Sequence, residues 1–105
     1  MSILPGDILQ QMLDAAKTAA GTQWSTFSAD IKTFSQNVLN DTKNTTEKLA
    51  QGKITEDEAK ILYDGIVGEG KMIANYAQES VKLAAQNAIN AASNVLWNAI
   101  LAAVP

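Results

Sequence analysis

Ala50-Gln51-Gly52-Lys53-Ile54-Thr55-Glu56-Asp57-Glu58-Ala59 carries the end of one helix and the start of another. Thr55 and Glu58 form an S/T-x-x-E pattern, in which the threonine hydroxyl accepts from the Glu58 amide and the Glu58 carboxylate accepts from the Thr55 amide. Gly52 suits the left-handed backbone that follows a helix C-terminus, because it has no Cβ to clash there. The pattern predicts a turn over about 51–54 with a helix on each side.

Toward the N-terminus, Leu9, Leu13, Ala16, Ala20, Trp24, Phe27, Ile31, Phe34, Val38, Thr42, Thr45 and Leu49 recur about every 3.6 residues, the period of a straight α-helix. One helix over about 7–50 is the first expectation. Pro5 suits a first-turn position and Asp7 the positive end of the helix dipole. Gly21 falls inside this span, where glycine costs about 1 kcal/mol relative to alanine. The alternative is a three-helix chain broken at Gly21.

Toward the C-terminus, Ala59, Leu62, Ile66, Gly70, Ile73, Ala77, Ala84, Ala88, Ala91, Val95, Ala99 and Ala102 continue a helical face over about 55–103. Such a helix is roughly 70 Å long at 1.5 Å per residue. The fold class expected is all-α: a single helical domain spanning 1–105, built as two long antiparallel helices forming a hairpin. In that hairpin Gly65, Gly68 and Gly70 face residues 35–40 and admit close backbone approach beside Phe34.

Composition removes much chemistry. The chain is 47% hydrophobic and 18% charged, with net charge -3 and no His, Cys or Arg. Disulfides, zinc sites with Cys or His ligands, histidine bases and thiol nucleophiles are absent by composition. Nucleic-acid binding lacks both a positive excess and arginine, so no nucleic-acid partner is expected. Glu56, Asp57 and Glu58 are explained by the helix dipole and the cap. Gly65 to Lys71 fits the G-x-x-x-x-G-K part of a phosphate loop, but Met72 stands where a magnesium-binding hydroxyl belongs and no strand precedes it. No catalytic residue, cofactor site or metal site is expected, and the chain reads as no enzyme. Trp24, Phe27, Phe34, Tyr63, Tyr76 and Trp97, at helical spacing, read as core. The start, MSILPGD, has no positive n-region, so a cytoplasmic location is the default, with export by a non-classical route left open.

Charge is distributed lengthwise. Nine of the nineteen charged residues fall within 41–60 around the turn, whereas the first 29 and last 23 residues together hold only Asp7, Asp14 and Lys17. The charge-free tail from Leu83 carries Asn87, Asn90, Asn94 and Asn98 within about 80° of one another on a helical wheel. This polar stripe is either a solvated face or a set of amides paired across an interface or toward a water-filled lumen. An apolar arc wider than one neighbour covers predicts self-association of hairpins into an oligomeric helical bundle. The candidate interface comprises Trp24, Phe27, Ile31, Phe34, Ala84, Ala88, Ala91, Ala92, Val95 and Leu96.

Residues 48–62 (KLAQGKITEDEAKIL) followed by 83–92 (LAAQNAINAA) resemble a group of small uncharacterised all-helical bacterial proteins. The likeness covers roughly the second half, and the Gly65, Gly68, Gly70 set departs from that group. It implies a bacterial origin and an all-helical chain, and brings no activity, cofactor or site residue. The function expected is that of a non-catalytic, self-assembling helical structural or interaction protein, with a homo-oligomer or another protein as partner. The alternative is a small membrane-active protein, such as a toxin, bacteriocin-like or lysis factor, inserting its charge-poor end as an oligomer. Residues 83–104 span roughly 33 Å, a bilayer's thickness, but the asparagines resist lipid.

Overall fold

The computed structural model describes residues 4–70 and 79–103. Among the described residues there are four helices, α1 (Ile8–Ala20), α2 (Trp24–Ala50), α3 (Glu56–Gly70) and α4 (Glu79–Ala102), with a short 3-10 turn at Gly21–Gln23. No strand occurs among the described residues.

The expected single helix over 7–50 is broken at Gly21, as the three-helix alternative has it. Gly21 adopts φ 60° and ψ -131°, a conformation a side chain disfavours, while its amide still donates to the Lys17 carbonyl. A second departure follows at Phe27, with φ -134° and ψ 18°, so α2 is kinked in its first turn. Periodicity did not detect the break because α1 and α2 keep nearly the same apolar phase. The inner line of α1 is nevertheless Ile8, Met12, Ala16 and Ala20, one residue before the expected Leu9 and Leu13, which are half-buried. The shift arises because α1 packs mainly along α4 and does not continue α2.

From Phe27 onward the expected face of α2 is the buried one: Phe27, Ile31, Phe34, Val38, Thr42, Thr45 and Leu49, joined by Ser35 and Thr46. Its C-terminus closes as a Schellman motif. Gly52 has φ 73°, its amide donates to the Leu49 carbonyl at 3.1 Å, and the Lys53 amide donates to the Lys48 carbonyl at 2.9 Å. The reciprocal Thr55–Glu58 cap then opens α3, at 3.0 Å from the Thr55 amide to the Glu58 carboxylate and 3.2 Å from the Glu58 amide to the Thr55 hydroxyl. The short turn returns α3 along α2.

The second half is not one helix. The Tyr63 hydroxyl donates to the Ser93 carbonyl at 2.6 Å, whereas thirty residues of straight helix would separate them by about 45 Å. Tyr63 and Lys60 both lie against Trp97, so α4 returns antiparallel to α3. The expected stretch around Ile73 and Ala77 lies outside the described residues. α3 buries Ala59, Tyr63 and Val67, and α4 buries Val81, Ala85, Ala88, Ile89, Ala92, Ser93, Leu96 and Ile100. α4 packs along α1 and also touches α2. The resulting bundle measures 43 × 23 × 16 Å, well short of a 70 Å hairpin.

Candidate interaction surface

The charge-free stretch of α4 from Leu83 onward is covered from within. Its broad inner face meets α1, the other charge-poor segment, so the two ends that looked exposed in a hairpin bury one another. Phe27, Ile31, Phe34, Ala88, Ala92 and Leu96 from the expected interface are buried in the chain's own core, and Trp24, Ala84, Ala91 and Val95 are half-buried at its margin. Trp24 packs edge-on to Phe27 at 6.4 Å between ring centroids. Asn87, Asn90, Asn94 and Asn98 are all exposed on the outer side of α4 in the single chain.

Among the described residues no group of three acids is placed to hold a metal ion. Glu58 is engaged in its cap. The phosphate-loop reading of Gly65 to Lys71 also fails, since residues 65–70 are helical. Their backbone belongs to a helix interior and cannot wrap a phosphate.

One polar cluster is well built. Lys60 Nζ lies 3.0 Å from Asp64 Oδ1, 4.9 Å from the Trp97 ring centre and 5.5 Å from that of Tyr63, whose ring is 5.1 Å from Trp97. Burial raises the Tyr63 hydroxyl above its ordinary range, the Asp64 charge adds to this, and the hydrogen bond to Ser93 opposes it. A buried phenol held protonated and donating to a carbonyl is a clasp between α3 and α4, not an acid or base.

Among the described residues, most of the apolar surface left uncovered lies on α3. Ile61 is 73% exposed and Leu62 47%, with Leu83 of α4 at 70% the only other large apolar side chain so exposed among the described residues. Ile61, Gly65 and Gly68 fall within about 60° of one another on a helical wheel, opposite Ala59, Tyr63 and Val67. A Cβ placed at Gly65 or Gly68 would meet nothing within 4 Å, so neither glycine admits close packing against α2 as the hairpin register required. Both face outward. The sequence placed Leu62 inside because it extended a line from Ala59 by three residues. The line Ala59, Tyr63, Val67, spaced by four, was the signal for the other face. No protein-family model matches this chain, and no curated protein or solved structure is similar to it.

Proposed function

We propose that the protein is a non-catalytic helical module that works by self-association, with the outer face of α3 as the contact between copies. The observation that carries this reading is the exposure of Ile61 and Leu62 beside Gly65 and Gly68, on a helix whose position is fixed by a cap and by the Tyr63 clasp. Two such faces are self-complementary: antiparallel pairing about a two-fold axis lays the bulky Ile61 and Leu62 of each copy over the side-chain-free Gly65 and Gly68 of the other. Covering large apolar side chains removes them from water at about 25 cal/mol per Å².

Solution mass by light scattering, with and without lipid vesicles, tests this. The wild type is expected as a discrete oligomer indifferent to vesicles, and Ile61→Lys with Leu62→Lys as a monomer of unchanged helicity. A wild type monomeric at every concentration, or a double variant of unchanged mass, refutes it. No described helix is long and apolar enough to cross a membrane. Co-flotation with vesicles and dye leakage would favour the membrane-active alternative instead.

A further inference from the structure

The junction between α1 and α2 sets backbone against sequence. Placed on one straight helix, the buried residues of α1 (Ile8, Met12, Ala16, Ala20) and those of α2 from Phe27 to Leu49 centre within about 75° of each other. The sequence thus supports a single amphipathic helix from Ile8 to Ala50. The chain instead interrupts it at Gly21, with φ 60°, and again at Phe27, with φ -134°, while Gln23 and Trp24 already have right-handed helical backbone. Few dihedrals separate the bent form from a straight one. What the bend provides is a cover: it lays α1 along α4, the most extensive helix pairing among the described residues.

We propose that α1 is an exchangeable arm. When Gly21 and Phe27 take helical backbone, residues 8–50 become one helix, and α1 covers α4 of a second copy while that copy's α1 covers the first. The partner is the chain itself, because α4's inner face already fits α1 and exchange recreates the same contacts in trans. The two forms then differ mainly at the hinge and in the association of two molecules. No other segment needs to be supplied: Ile8, Met12 and Ala16, essentially without exposure in the bent form, regain the same surroundings in the exchanged one. The inference rests on the reading that copies associate, but it uses neither Ile61 nor Leu62.

Gly21→Ala tests it, since a φ of 60° disfavours alanine while helical backbone suits it better than glycine. The substitution is expected to raise the dimer fraction about tenfold. X-ray scattering should then show a particle longer than about 60 Å, because 43 helical residues rise about 64 Å, against the 43 Å length of the bent chain. That dimer persists on dilution and separates only after unfolding. A folded Gly21→Ala monomer overturns the proposal. A compact dimer abolished by Ile61→Lys also overturns it and leaves association through α3 standing. Should Gly21→Ala fail to fold, the wild type is refolded from denaturant at high concentration beside a variant with two glycines inserted after Gly21. A long, trapped dimer in the wild type alone supports exchange, and equal masses for the two proteins overturn it.

Discussion

The α1–α4 seam and the second half of α2 are both buried, yet they are made of different material. Ile8, Met12, Ala16 and Ala20 bring only apolar side chains to the seam with α4, whereas α2 buries Ser35, Thr42, Thr45 and Thr46 among Val38 and Leu49. Among the described residues, no hydrogen bond joins these hydroxyls to a neighbouring helix. Thr42 donates to the Leu39 carbonyl at 3.2 Å and Thr46 to the Thr42 carbonyl at 2.8 Å, both within their own helix. Ser93 in α4 does the same toward Ile89 at 2.7 Å. Such bonds satisfy a buried polar atom without gluing two helices together. Burial in the first seam therefore stabilises through area and packing, while burial along α2 is partly neutral. Equal exposure does not mean equal energy.

Substitutions break or sharpen that contrast in order of size. Ala92, fully buried in α4, should tolerate no charge: Ala92→Glu is expected to unfold the chain, because an unpaired buried carboxylate costs several kcal/mol. Thermal melting by circular dichroism measures this, and a cooperative wild-type-like melt would mean that α1 does not cover α4 in solution. Next, Met12→Ala is expected to cost about 2–4 kcal/mol in urea unfolding, whereas Thr42→Val, which keeps the volume and removes a hydroxyl bonded only to its own helix, should cost less than about 1 kcal/mol. Equal costs would erase the distinction between the seams.

Smaller still, Tyr63→Phe should cost about 1 kcal/mol through the lost bond to Ser93. Its pH dependence gives a second reading. The folded state holds the Tyr63 proton more tightly than the unfolded chain. That contribution is complete below about pH 10 and is lost as pH rises beyond it. Alkaline unfolding that is less steep in Tyr63→Phe than in the wild type checks the sign. Smallest of all, Ser35 is fully buried with no hydrogen-bond partner for its hydroxyl among the described residues. Ser35→Ala should leave stability unchanged or raise it by up to about 1 kcal/mol. A clear loss would mean that the hydroxyl has a partner in solution.

Much of this arrangement is legible in the chain where local chemistry governs. Gly52 and the Thr55–Glu58 cap fix a turn within a few residues, so both helix ends were readable. The phase of α2 from Phe27 to Leu49 was equally plain, down to Thr42 and Thr45 as inward positions. Tyr63 was readable as core but not as a clasp, since its partner is thirty residues away. Ile61 and Leu62 were missed as surface because α3 is rich in apolar residues on several sides, and spacing by three or by four gives different inner faces.

The sequence by itself determined that this is an all-helical chain, where α2 ends and α3 begins, and that the chemistry of His, Cys and Arg is absent, because caps, propensity and composition act within a turn of helix. Only the tertiary structure decided that Gly21 bends the chain, that α4 turns back on α3, and that α1 is the cover for α4. Those outcomes depend on which apolar face meets which. A period of 3.6 records that a face exists, but it carries no information about the partner that buries it.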